Sequence, residues 1–439
     1  MDRSFARLMM SLIGVLGLVT INISPLQAAS PIWTPEGLSQ LVEEGLSNNK
    51  EIQSLEAKVE SMREEISFAG SLPDPRLGFS ILNLPTDTFS FNQEPMTQKQ
   101  IFLAQKIPWL EKLIYSKQRQ ALSAGCQQAI LETKRLALAR QIATNYYELG
   151  FVAWGLEING RLREILDQLI RVAETRYATG KGLQQDVLQA QVELSKLLDE
   201  KIVLERKRRT VQNRINALLN REAFRTIEPP KNLEEPKLEL NVKLLQAQSV
   251  QNNPWLKLRQ AEIDLASMGI KLARMEYRPD MDLKVAYGQR EDDLLGMKRA
   301  DFFSASVAIN IPLWFWSRQV SKVSASRKSH QATMRSYQGL KATLPHQVDT
   351  LVTEIKSSQE NYRLFSDALI LQSEQWARSS LSAYVVGKVE FNTMINAQIR
   401  LLRFQLKTKR YLFYIYQKRA ELVELLGGAL HTKNHSKDS

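Results

Sequence analysis

Thr179-Gly180-Lys181-Gly182 has the residue types of a phosphate-binding turn, in which glycine amides and a lysine cradle an anion. The upstream glycine and the hydroxyl residue after the lysine are missing, and a helical pattern leads into it where a strand is needed. The stretch therefore reads as a turn. Cys126 is the single cysteine and the four histidines are scattered, leaving no internal disulfide, no zinc spacing and no Cys-His pair. Eleven methionines suggest soft-metal binding, but Met96, Met268, Met275, Met281 and Met297 form no cluster, so packing is the better use for them. No Ser-His-Asp constellation is recognisable. An enzyme is not expected, and neither are a catalytic residue, a cofactor or a metal site.

The formal charge of +12 raises nucleic acid or anionic lipid as partners. Its distribution argues otherwise, because Arg206, Lys207, Arg208 and Arg209 sit beside Glu200, Glu205 and the apolar positions of a helix. That is a solvated helical face, and no nucleic-acid partner is expected.

The chain opens with Arg3 and Arg7, an apolar stretch from Leu8 to Ile23, and small residues at Ala28, Ala29 and Ser30, the pattern of a secretory signal peptide over residues 1–29. A membrane-anchoring helix is the alternative. The apolar run is short for a span and meets Ser24, Pro25 and Gln27 at once. No later run reaches transmembrane-helix length, so the remainder is either soluble or inserted as a barrel.

What positions these residues is a duplicated unit. Asn48-Asn49, followed by Ile52, Ala57, Val59 and Ile66, matches Asn252-Asn253 followed by Leu256, Ala261, Ile263 and Ile270, 204 residues on. Ile107-Pro108 matches Ile311-Pro312 at the same offset, and Tyr177, Gly180 and Lys181 match Tyr384, Gly387 and Lys388 at 207. Two copies make a duplicated architecture and not a solenoid. The first unit spans residues 30–227, a Pro-rich connector residues 228–240, the second unit residues 241–428 and a polar tail residues 429–439.

Each unit reads as a helical region, two strands and a long helical hairpin. The first helical region runs from about Thr34 to Ala69 and stops at Pro73-Asp74-Pro75; Pro279-Asp280 does the same in the second. The strands fall at about 75–108 and 281–312. Leu283, Val285 and Tyr287, then Phe303, Val307 and Ile309, alternate with small or polar residues and are expected to face lipid. Taken alone, the strands fit equally a soluble sheet with one solvated face. The hairpins, at about 113–219 and 318–427, carry apolar residues at three-four spacing, for instance Leu162, Ile165, Leu169 and Val172. The longer arm would extend on the order of 95 Å.

This order of motifs resembles the TolC family of outer-membrane efflux proteins over nearly the whole mature chain. Gln105-Lys106-Ile107-Pro108-Trp109 and Asn310-Ile311-Pro312-Leu313-Trp314 close the strand pairs, and Arg176-Tyr177-Ala178-Thr179-Gly180-Lys181 and Ala383-Tyr384-Val385-Val386-Gly387-Lys388 mark the hairpin tips. The resemblance implies a mainly α fold with a membrane β-barrel contribution. It implies a homotrimer in the bacterial outer membrane with a twelve-stranded barrel and a periplasmic α-helical tunnel. Four strands cannot close a barrel alone, which independently requires oligomerisation if they span lipid. It further implies a passive duct, fed by a periplasmic adaptor and an inner-membrane pump of the resistance-nodulation-division class. The tips at Tyr177, Gly180, Lys181, Tyr384, Gly387 and Lys388 would dock the adaptor. Aligned with the family, Asp186 falls where an acidic constriction residue is common, with Thr393 as its repeat-mate, Asn396 replacing another acid and Glu390 as a partial substitute. Leu72-Pro73-Asp74-Pro75, Asn83-Leu84-Pro85 and Glu94-Pro95-Met96-Thr97 resemble the CzcC-like subgroup that serves heavy-metal exporters, although Leu110 and Glu111 depart from its pattern. A periplasmic adaptor and a structural coiled-coil envelope protein remain as alternatives. The adaptor does not explain two equivalent hairpins, and the coiled coil does not explain the strands.

Overall fold

Two proline stops and two asparagine pairs punctuate the chain at matching places, and the computed structural model, which describes residues 35–428 apart from 232 and 239, shows what each does. The signal segment at 1–29 and the tail at 429–439 lie outside the described residues. The opening helical region is two helices, α1 (Glu36–Asn48) and α2 (Lys50–Ala69), because Asn49 leaves helical geometry and caps the second of them. Its Oδ1 accepts from the backbone N–H groups of Glu51 and Ile52, satisfying donors that the first helical turn leaves bare. Strands β1 (Arg76–Leu82) and β2 (Gln98–Ile107) come next, then the long helix α3 (Leu110–Ala178) and the returning α4 (Gln184–Leu218).

The second unit repeats the order with α5 (Val242–Asn252), α6 (Pro254–Met275), β3 (Met281–Gln289), β4 (Phe302–Ile309), α7 (Arg318–Leu364), α8 (Ile370–Val385) and α9 (Phe391–Leu425). Between α7 and α8 lies one π turn, Phe365–Leu369. The repeat offset grows from 204 at Ile311 to 207 at Tyr384, so this arm carries three residues more than its mate. A wider i→i+5 turn takes up extra length without leaving the helix. Phe365 fills it, edge-on to Phe404 at 5.4 Å and beside Tyr411 at 5.6 Å.

The four strands form one antiparallel sheet in the order β1-β2-β3-β4, so the two units meet along β2 and β3. Asp280, just before β3, locks that seam: its Oδ1 accepts the Trp109 N–H at 3.0 Å and the Lys112 ammonium at 2.7 Å. α3, with 69 residues, is about 100 Å long. It packs against α4, α2, α6 and α9, and one cluster of this core gathers Ile142, Tyr147, Ile215, Leu219 and Phe413. A second cluster, with Leu166, Phe391 and Met394, runs toward the hairpin tips, and a third holds α5, α7 and α9 together around Val348, Ile355 and Leu422. Among the described residues no helix is long and apolar enough to cross a membrane.

Candidate functional site

The sheet is the first functional surface. Because side chains alternate along a strand and directly paired residues share a face, register decides what the two faces carry. Phe79 pairs with Ile101, Leu103 with Val285, Leu283 with Val307 and Tyr287 with Phe303. One apolar face therefore crosses all four strands, with Lys99, Gln289 and Gln105 only toward its ends, and it is bare: Phe303 is 76% and Val307 68% exposed. The six residues expected to face lipid, Leu283, Val285, Tyr287, Phe303, Val307 and Ile309, all lie on it. Ser80, Gln100, Ala286 and Ser304 line the opposite face. Leu82, Phe102 and Phe302 are the large apolar side chains there. Phe102 lies across Gly78, where any added side chain would run into its ring, and the Lys284 ammonium stands 4.2 Å from its centre.

Past one end of the strands, Trp109 and Trp314 of the Ile-Pro motifs join Tyr277, Phe315 and Trp316, which no motif marked, in a cluster of exposed rings. Phe315 packs edge-on to Trp316 at 5.3 Å, and the Arg278 guanidinium lies 5.6 Å from the Trp109 ring. Amphipathic rings at the rim of an apolar band are the usual anchor at a membrane-water boundary. Four of the five flank the Ile-Pro motifs within eight residues, a signal visible in the sequence.

The second surface is the pair of hairpin tips. Gly180 and Gly387 have φ of +69° and +76°, and each closes its outgoing helix in the same way. The Lys181 N–H donates to the Arg176 carbonyl and Gly180 N–H to Tyr177; Lys388 donates to Ala383 and Gly387 to Tyr384. This is a Schellman cap, which explains the Tyr-x-x-Gly-Lys spacing. The tyrosines diverge, since Tyr177 is 50% exposed and Tyr384 only 2%.

Arg176, which opens the first tip motif and had no role assigned there, joins the two tips. Its guanidinium donates to the Tyr384 carbonyl at 2.6 Å and the Val385 carbonyl at 3.2 Å, donates to the Lys181 carbonyl in its own turn at 3.1 Å, and lies 4.8 Å from the Tyr384 ring. A cation at the C-terminal end of α8 is also favoured by the helix dipole. Burial pushes the Tyr384 hydroxyl pKa up, Asp186 adds to that and Arg176 opposes it. Asp186, in the first turn of α4, is thus within electrostatic reach of the opposite hairpin. Gln189 donates to Asn392 at 3.0 Å, and Asn396 donates to the same oxygen at 2.6 Å. Asp186 and Asn396 therefore share the seam between the hairpins. Glu390 stands at the start of α9 without a side-chain capping bond, and Thr393 is exposed. Lys181 and Lys388 are exposed at the two tips.

Cys126 is buried on α3, and burial, with Glu262 and Asp264 nearby, pushes its thiol up to about 11. A thiol held neutral is a poor nucleophile and ligand.

A family model described as outer membrane efflux protein matches residues 41–221 and 245–428, one stretch for each unit. The chain belongs to the outer membrane efflux protein family. Its fold is similar to that of the outer-membrane channel OprN, with a TM-score of 0.76 at 15% identity over 90% of this chain and 91% of that one. It is also similar to the outer membrane protein VceC of Vibrio cholerae, with a TM-score of 0.74 at 18% identity over 89% of this chain and 96% of that one. The MtrE outer membrane channel of Neisseria gonorrhoeae in its open state gives 0.73 at 14% identity over 89% and 88%. An uncharacterized protein of Haemophilus influenzae is 21% identical over 224 residues, which cover 50% of this chain and 49% of that relative. The chain thus spans about half the length of the curated relative it matches.

Proposed function

We propose that the protein is the outer-membrane channel of a tripartite efflux system, a passive duct that takes cargo from an inner-membrane pump and a periplasmic adaptor and releases it outside the cell. The observation that carries this reading is the bare apolar face running across all four strands of a sheet whose β1 and β4 edges are open. Water does not tolerate such a face and lipid does not tolerate such edges, and both are satisfied when three copies close one barrel in the outer membrane. The helical hairpins then extend into the periplasm, with the aromatic cluster at the inner membrane-water boundary.

On this reading the two tips meet the adaptor, and Asp186, repeated by the threefold axis, forms an acidic ring at the periplasmic mouth that attracts cations. The pump is of the resistance-nodulation-division class. The Leu72-to-Pro75 and Glu94-to-Thr97 motifs support a place among channels serving heavy-metal exporters, with cations as cargo; drugs are the other cargo class. An adaptor or a coiled-coil rod needs no outward apolar sheet.

The test is site-directed crosslinking. Single cysteines replacing Lys181 and Lys388 in a Cys126→Ser background should crosslink to a co-expressed adaptor hairpin. Crosslinks formed only from the strand loops at 83–97 and 290–301 would defeat the reading.

A further inference from the structure

Resting on the trimeric reading above, we infer the register in which one copy of the chain joins the next: β4 pairs with β1 of the partner subunit so that Ser306 faces Ser80 of the partner subunit, while α2 of the partner subunit lies along α7.

The template is inside the chain. The seam between β2 and β3 is a junction of one unit with the other, and duplication makes the junction of β4 with the next copy's β1 its equivalent. The transfer needs the local offsets. β2 corresponds to β4 at 204, set by Ile107-Pro108 and Ile311-Pro312, whereas β1 corresponds to β3 at 206, set by Pro73-Asp74 and Pro279-Asp280. These two offsets carry the observed pair Phe79↔Ile101 onto Val285↔Ala305, which is also an observed pair. A uniform offset of 204 would put Leu283 opposite Ala305, which the sheet does not do.

The same offsets carry Leu103↔Val285 onto Val307 opposite Phe79 of the partner subunit, and Gln105↔Leu283 onto Ile309 opposite Leu77 of the partner subunit. Phe102↔Ala286 becomes Ser306 opposite Ser80 of the partner subunit. In the junction pairs apolar meets apolar and small meets small, so both faces of the sheet continue across it.

The helices ask for the same neighbour. α6 packs on α3 of the other unit as well as on α7. By duplication α2 should likewise pack on α7 of an adjoining copy. Within the chain α7 has no buried residue between Val323 and Leu344, whereas the matching part of α3 buries Ala124, Cys126 and Leu131. On α2 the positions Ala57, Ser61, Glu64 and Phe68 are exposed at four-three-four spacing; their repeat-mates Ala261, Leu265, Met268 and Leu272 are all covered or partly covered. Charge agrees. From Arg318 to Val348 α7 carries six Arg and Lys and no acid, and α2 carries the exposed Glu60 and Glu64.

The test uses full-length protein in outer membranes, in a Cys126→Ser background. Ser306→Cys combined with Ser80→Cys should give a covalent trimer on mild oxidation, at least tenfold more than Ser306→Cys with Leu82→Cys, because directly opposed Cβ atoms lie about 5 Å apart and diagonal ones about 7 to 8 Å. Phe102→Cys with Ala286→Cys reports the intrachain template. Glu60→Lys with Glu64→Lys should lower the heat resistance of the oligomer, and Arg327→Glu with Lys328→Glu should restore it. Preferential crosslinking of Leu82→Cys overturns the register while leaving the trimer. Intact trimers with neither crosslink overturn the β4 to β1 junction, and a monomeric protein overturns both the inference and the trimeric reading.

Discussion

At Gly180 and Gly387 the backbone adopts a left-handed conformation, so the cost of a side chain there is conformational and not steric. An added Cβ meets nothing within 4 Å at Gly180 and only the Arg176 Nη2, at 3.5 Å, at Gly387. Gly180→Ala and Gly387→Ala should each cost about 1 kcal/mol, measured as a shift in urea midpoint at unchanged slope. Arg176→Ala removes three hydrogen bonds between and within the tips, and should raise the conductance and open probability of the channel in planar bilayers. Unchanged gating in an assembled trimer would make Arg176 a turn residue only. Asp186→Asn should relieve block by multivalent cations, and unchanged block would remove Asp186 from the gate. The glycines were readable from spacing because left-handed caps select glycine. Arg176 was not, since its partners on the other hairpin are backbone carbonyls 208 and 209 residues away and its repeat-mate is Ala383, so neither side-chain type nor duplication marks it.

Among the elements, the asparagine pairs show how one motif can be legible without its purpose. Their recurrence identified the repeat, but the opening region read as one helix, because Asn within a polar stretch breaks a helix only when its side chain finds backbone partners. Both second asparagines also donate across the unit, Asn49 to the Leu218 carbonyl at 2.9 Å and Asn253 to the Leu425 carbonyl at 3.0 Å, tying the start of each unit to its end. Asn49→Ala or Asn253→Ala should lower stability by about 1 to 2 kcal/mol in chemical denaturation, mostly through the lost cap. The hairpins are joined midway by Glu148, which pairs with Lys207 and Arg410 and accepts from Gln417. Burial alone would raise its pKa; the bonds from Lys207 and Gln417 and the charge of Arg410 outweigh it and hold the carboxyl below its usual value. A depressed carboxylate stabilises above its unfolded pKa of about 4.3 and loses that contribution as pH falls further. Thermal melts of Glu148→Gln should therefore show less loss of stability below about pH 4.5 than the parent. An equal acid loss would assign the effect to other carboxylates.

For the whole molecule, alternation along β3 and β4 was legible because strand period is two, and the structure places the named positions on one face. The partner on that face was not legible, since a soluble sheet has the same period. Val307→Arg should cost about 2 to 4 kcal/mol near mid-bilayer and reduce recovery of assembled protein, while Ser306→Arg on the opposite face should assemble. The reverse pattern would invert the inside-outside assignment. The most direct measurement is the native mass of the protein extracted in detergent from fractionated outer membranes. A particle of three chains that dissociates to one on boiling is the result expected of a barrel closed by three sheets, whereas a monomer recovered from the soluble periplasmic fraction would contradict the membrane channel.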